Sequence, residues 1–301
     1  MISGRWFKTS RAWSIVKDAM SALGFLTIVI TIVEFFPSLT SFSTFLKTRS
    51  FLFLFTILSL MYAIVKNRPR NHFIFKINNR DIELGLHIGK LERTKSAYIV
   101  PVNSDFDMDL NGSVQASQSV KSMVIKKYFA GDHKTLQQKI TKELKSKIYS
   151  AQKENNTYKL GTTVRIQTDD KKKTFYFVVN SKKLNDSRVE AQESGLSVTF
   201  SGLWSYISEH GAKEHISIPL LGTGNGRLKM PREEVYKEIV RSFVSSCAGK
   251  SYCERMTIVL RDEDVTKCKI NIEELVEFTK LNTEYADFAK YEKPSNTNSI
   301  E

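Results

Sequence analysis

Two short segments hold residue types that could bind an anionic ligand. The first is Ile218-Pro219-Leu220-Leu221-Gly222-Thr223-Gly224-Asn225-Gly226, an apolar run feeding three alternate glycines, with a helical pattern starting near Pro231. Glycine lets backbone N–H groups turn outward and approach a ligand closely, and such a nest beside a helix N-terminus suits phosphate. Leu221, Gly222, Thr223, Gly224, Asn225 and Gly226 are therefore candidate ligand-binding residues. No Gly-Lys-[Ser/Thr] follows, which excludes a Walker A loop. The spacing is GxGxG, with no acidic strand end about twenty residues on, which excludes the dinucleotide fingerprint. The second segment is Pro101-Val102-Asn103-Ser104-Asp105, placed where an apolar strand ends. Open α/β sheets collect their ligands at that edge, and an Asn there can donate to and accept from a ribose or amide. An Asx turn explains an isolated Asn equally well. Asn103, Ser104 and Asp105 complete the candidate set.

Other chemistry finds less support. Of the five histidines, His210 and His215 are the nearest pair with helical residues around them, and i,i+5 spacing does not place two ligands on one helix face. Cys247, Cys253 and Cys268 are odd in number and lack a CxxC pair, so neither a zinc cluster nor a disulfide framework is indicated, and a reducing compartment fits. No metal, cofactor or catalytic set is expected. The enzymatic alternative is hydrolysis using Asn103 with Asp105 or Asp107 as base.

The elements that would position these segments alternate between strand and helix. FIFKI (73–77), DIELGLHI (81–88), SAYIVPV (Ser96 to Val102), TTVRIQT (162–168), TFYFVVN (174–180), HISIPL (His215 to Leu220) and RMTIVL (Arg255 to Leu260) read as strands. The charged run Asp169 to Lys173 reads as a solvated hairpin tip. Helical spacing covers Ser113 to Phe129, Lys134 to Tyr149 with Asp132 or His133 as cap, Ser194 to His210, Pro231 to Ser246 and Ile272 to Leu281. The expected domain, 71–284, is a three-layer α/β/α structure with a mixed sheet, and 285–301 is too polar to pack.

The N-terminal seventy residues differ in kind. Ala19 to Phe36 is apolar except for Glu34, and Phe51 to Val65 is uncharged. Transmembrane helices are expected at about 19–37 and 50–66, joined by a short turn after Pro37. The mean hydropathy of −0.27 averages these unlike regions. Net charge is +13 over 301 residues, and nine basic against two acidic side chains put +7 of it in residues 1–70. Arg5, Lys8, Arg11 and Lys17 precede the first run and Lys66, Arg68 and Arg70 follow the second, against Lys47 and Arg49 in the turn. Both termini are therefore expected in the cytoplasm of a multi-pass membrane protein. Lys121, Lys126, Lys127, Lys134, Lys139, Lys142, Lys145 and Lys147 crowd two predicted helices as a solvated or lipid-facing surface. No nucleic-acid motif accompanies them, and no nucleic-acid partner is expected.

Taken in order, these segments resemble the macro domain family. Tyr98 to Ser104 is similar to its Asn strand, Gly112-Ser113-Val114 to a reduced form of its glycine turn, and Leu221 to Gly226 to its phosphate loop. Lys90, in Gly89-Lys90-Leu91, stands where that family carries an adenine-binding acid. The resemblance covers about 72–281 and implies a site for ADP-ribose or a derivative. With the two-span anchor, the chain is most similar to the membrane-anchored effectors of the bacterial Thoeris antiphage system. That resemblance implies a nucleotide signal made by a partner TIR enzyme, a lipid-bilayer target and a homo-oligomeric active form.

Overall fold

The computed structural model describes residues 9–36, 44, 48–68, 70–109, 119–145, 149, 153–154, 157–183, 189–224 and 228–286. It divides into two units, 1–70 and 71–301.

The first unit is a helix pair, α1 (Thr9–Glu34) and α2 (Arg49–Lys66). Both are longer than the apolar runs that announce them. Charge ends a hydropathy run, but it does not end a helix when the charge is paired. Asp18, just before the apolar run that opens at Ala19, accepts from Lys66 Nζ at 3.0 Å and from Asn67 Nδ2 at 2.7 Å. Asn67 Nδ2 also donates to the Ala63 carbonyl at 2.9 Å, closing the last turn of α2. The hydroxyls of Thr27, Thr31 and Thr56 donate to carbonyls three or four residues back, so their polar groups are satisfied within the helices. Trp13–Glu34 and Arg49–Lys66 are long and apolar enough to cross a membrane, and only 6% and 11% of these spans are buried in the protein. At 1.5 Å per residue they reach about 33 and 27 Å, against about 30 Å of hydrocarbon.

The second unit is built on a mixed sheet. In chain order its strands are β1 (His72–Lys76), β2 (Glu83–Ile88), β3 (Ala97–Asn103), β4 (Lys153–Glu154), β5 (Thr157–Tyr158), β6 (Thr163–Gln167), β7 (Thr174–Lys183), β8 (Val189–Glu190), β9 (His215–Pro219) and β10 (Arg255–Leu260). The helices are α3 (Val120–Tyr128), α4 (His133–Leu144), α5 (Ser194–His210), α6 (Arg232–Ser246), α7 (Asp262–Lys267) and α8 (Ile272–Glu284). The sheet runs β1-β2-β10-β9-β3-β7-β6, with β8 added to β7, while β4 and β5 form a separate hairpin. The pairs from β2 through to β7 are parallel, and β1 and β6 flank them antiparallel. Strands covered on both faces must be apolar on both, which is why Tyr98 to Val100 and Phe175 to Val179 are continuous buried runs. One face carries a core with Phe200, Trp204, Ile239, Phe243 and Leu275 from α5, α6 and α8. The other carries Val124, Ile125, Leu136 and Ile140 from α3 and α4. The fold is the expected α/β/α arrangement.

Boundaries moved where side chains cap helices. The Ser119 hydroxyl accepts from the Ser122 N–H at 3.0 Å and caps α3 at Val120, while residues 113–118 of the expected helix lie outside the described residues. Asp132 Oδ1 accepts from the Thr135 N–H at 3.0 Å, so α4 starts at His133, and it ends at Leu144 before Tyr149. Hydrogen bonds from the Thr135 hydroxyl and then from its N–H hold the Asp132 carboxyl below its ordinary value. Helix α8 runs on to Glu284 with Tyr285 as its cap, and of the expected polar tail residues 287–301 lie outside the described residues.

Candidate functional site

Strand order brings the two candidate segments to one edge. β3 lies between β9 and β7, parallel to both, with Ala97 opposite Ile216 and Tyr98 opposite Ser217. Asn103 at the end of β3 and the loop that leaves Pro219 therefore emerge on the same, C-terminal, side of the sheet, where open α/β sheets place ligands.

The loop is held peptide by peptide. The Leu220 carbonyl accepts from the Thr223 hydroxyl at 3.0 Å, the Gly222 carbonyl from the Leu228 N–H at 3.1 Å, and the Thr223 carbonyl from Arg232 Nη2 at 3.3 Å. In a trans peptide the N–H points opposite to the carbonyl, so anchoring these oxygens turns the N–H groups of Leu221, Thr223 and Gly224 the other way. Among the described residues, none accepts from the N–H of Thr223 or Gly224. Gly222 makes the turn with φ +75°, and a Cβ there would meet the Leu228 Cβ at 3.3 Å and the Ala191 Cβ at 3.4 Å. Gly224 is exposed and a Cβ there would meet nothing within 4 Å. The first glycine shapes the loop and the second leaves room above its N–H. Asn225 and Gly226 lie outside the described residues. The adjoining α6 carries Glu233 and Glu234 in its first turn, so its positive end is already met by acids and the loop itself must supply the attraction for an anion.

A residue that sequence reading passed over joins the loop to the strands. Val102 pairs with Val179 but Asn103 pairs with Ser181, which leaves Asn180 as the extra residue of a β-bulge. Asn180 is buried. With its carboxamide oriented by its neighbours, its nitrogen donates to the Val102 carbonyl at 3.1 Å and its oxygen accepts from the Gly222 N–H at 3.2 Å. One side chain thus ties together β3, β7 and the glycine loop. The available signal was an Asn closing the apolar run TFYFVVN, the same signature that singled out Asn103.

The three residues after Val102 have separate tasks. Asn103 Oδ1 accepts from the Asp107 N–H at 3.1 Å, so its oxygen closes a local turn and its NH2 is the group it can offer a ligand. Ser104 is buried, its N–H donating to the Ser181 carbonyl at 3.0 Å and its carbonyl accepting from the Tyr158 N–H at 2.8 Å. Asp105 is exposed beside the Ser104 hydroxyl, 3.4 Å away. Phe106 follows at φ +52° and turns inward against Tyr158, with ring centroids 5.3 Å apart. Lys90 is exposed and caps the 3-10 turn Leu91–Arg93. Gly112, Ser113 and Val114 lie outside the described residues.

Two concavities lie away from this edge. One, of about 560 Å³, sits at the β1–β2 turn beside Glu284, where Lys76 and Arg80 are balanced by Asp81. The other, of about 440 Å³, is a serine-lined groove between α5 and α6. Neither gathers outward backbone donors as the 221–224 loop does. Among the described residues no group of three metal-ligating side chains is found.

Comparison with known proteins gives a family match and several solved structures of low identity. The family model described as Thoeris protein ThsA, Macro domain, matches residues 85–261, more than half of the chain. No curated protein matches. Among solved structures, a macrodomain of Oceanobacillus iheyensis with MES bound is 13% identical, with a TM-score of 0.47, covering 68% of this chain and 97% of that one. The same macrodomain with ADP is 13% identical, with a TM-score of 0.44 and coverages of 71% and 95%. A point mutant of it with ADPR is 13% identical, with a TM-score of 0.46 and coverages of 68% and 99%.

Proposed function

The chain belongs to the Thoeris ThsA macro-domain family, and from that membership we propose that it is an antiphage-defence effector that senses a nucleotide and acts on a membrane. Its macro domain receives an ADP-ribose-derived signal made by a partner TIR enzyme. Its two N-terminal helices span the bacterial cell membrane, with both termini cytoplasmic, and disrupt that membrane when the signal drives the protein into a homo-oligomer. The observation that carries the ligand reading is the pair of N–H groups at Thr223 and Gly224 that meet no acceptor among the described residues, in a loop that leaves the sheet on the side where β3 ends. Hydrogen bonds from such donors to a charged diphosphate are worth about 1.5–3 kcal/mol each. The ligand shifts an assembly only by its differential affinity, and swinging 1:99 to 99:1 takes about 5.5 kcal/mol. A handful of diphosphate contacts made in one state alone reaches that scale.

The test is calorimetric titration of the full chain in detergent micelles with ADP-ribose, NAD and an ADP-ribose conjugate, with the products examined. Binding of an ADP-ribose compound without turnover is expected. Gly224→Arg, which fills open space, should lower affinity at least tenfold while leaving the melting temperature within about 2 °C. Steady turnover would replace the receptor by a membrane-tethered hydrolase. Full affinity in Gly224→Arg would remove the loop from the site.

A further inference from the structure

We infer that Arg232 is the positioning residue that holds the 221–224 loop in its anion-binding conformation, braced from behind by the buried carboxylate of Asp264. The inference deepens the nucleotide reading of this loop and rests on it for the identity of the ligand.

The geometry is that of a strut. Arg232 is the first residue of α6, and its guanidinium reaches in two directions. Forward, Nη2 donates to the Thr223 carbonyl at 3.3 Å. Backward, Nε lies 3.3 Å from Asp264 Oδ1, and Nη1 contacts the Cys268 sulfur. Asp264 is buried in the first turn of α7, directly after β10, and it also receives both Nε and Nη2 of Arg261, at 3.1 and 2.8 Å. The carboxylate raises the Arg261 pKa further and keeps that partner charged. A buried carboxylate held by two guanidinium groups has little freedom to move. The brace is therefore anchored on the helix that leaves β10 and not on the loop it supports.

What the strut fixes is the orientation of one peptide. With its carbonyl tied to Arg232, the Thr223–Gly224 peptide must present the Gly224 N–H outward. Gly224 has no Cβ to resist rotation and nothing within 4 Å to block it, so without the guanidinium that peptide is free to turn. Arg232 also brings a positive charge to the Thr223 carbonyl. Lysine could supply that charge, but its single ammonium cannot hold Thr223 and Asp264 together in the way a planar fork does.

The test uses the full chain in micelles, unaltered and as Arg232→Gln and Arg232→Lys, with two readouts. The first is ligand-free amide hydrogen exchange across the loop. Arg232→Gln should speed exchange of the Leu228 N–H, whose bond to Gly222 depends on loop order, at least tenfold, with the core strands unchanged. The second is titration with ADP-ribose and inorganic pyrophosphate. Arg232→Gln should lose 10- to 100-fold in affinity for both. Arg232→Lys should recover the salt dependence of pyrophosphate binding while staying at least fivefold weaker than the unaltered chain. Full rescue by lysine would overturn the positioning role in favour of charge alone, and unchanged exchange in Arg232→Gln would overturn it outright. If the unaltered chain bound neither compound, the nucleotide reading would fall, and the exchange result would still decide the role of Arg232.

Discussion

Gly222 and Gly224 show how identical residues two positions apart carry different burdens. Gly222 sits at φ +75° with two neighbours inside 3.5 Å of a would-be Cβ, and Gly224 has open space. Gly222→Ala should cost about 1–3 kcal/mol, and Gly224→Ala should stay within about 0.5 kcal/mol, both read from urea denaturation midpoints. A second residue makes a prediction about pH. Lys173, at the start of β7, lies with Nζ 3.4 Å from the Tyr98 ring centroid and donates to the Ser96 carbonyl. Burial, with Lys127 nearby, pushes its pKa down from 10.5 to about 8, while the ring face and the carbonyl favour the charged form. Because the folded pKa lies below the unfolded one, the unfolded chain binds the proton more tightly. Stability should therefore rise with pH between about 8 and 10.5 and gain nothing further from this group below 8. Since Lys173 is only half-buried, the swing is on the order of 1 kcal/mol, and Lys173→Met should flatten the pH profile of the denaturation free energy over that window.

At the scale of elements, the β-bulge at Asn180 is what converts two strand ends and a loop into one edge. Asn180→Ala leaves the Gly222 N–H and the Val102 carbonyl without this partner. It should cost about 1–3 kcal/mol in a denaturation experiment and loosen the glycine loop, whereas a surface Asn would cost almost nothing. The same element shows what the linear chain could reveal. β3 and β9 were legible because strands buried on both faces are apolar throughout, and the loop was legible because glycines at alternate positions have few other uses. Asp132 was legible as a cap because its side chain bonds three residues ahead. Asn180 and Arg232 were not, because their partners are set by strand order. Val102 and Gly222 flank Asn180 only once β7 and β9 have taken places on either side of β3, and Asp264 lies behind Arg232 only once β10 is placed.

The whole molecule joins a helix pair with +7 of the net charge in its segment to an α/β domain with the remaining +6. More than half of the apolar side chains of the two spans are exposed, Phe25, Ile28, Ile32, Phe53, Leu54 and Met61 among them, which suits lipid and does not suit water. The full chain should therefore remain in the membrane pellet after an alkaline carbonate wash and move to the supernatant with mild detergent. Recovery in the carbonate supernatant would defeat the membrane reading. The position of β10 has a consequence in time. It pairs on one side with β2 and on the other with β9, and its exit carries Asp264. Translation delivers the helix pair well before this strand, at about 5–20 residues per second. For many seconds a nascent chain has both apolar helices and lacks the strand that seats the candidate loop on one side and Asp264 on the other. A chain released before residue 255 therefore carries the helix pair with no brace for the loop, and the edge of the sheet exists only in chains that have been read past β10.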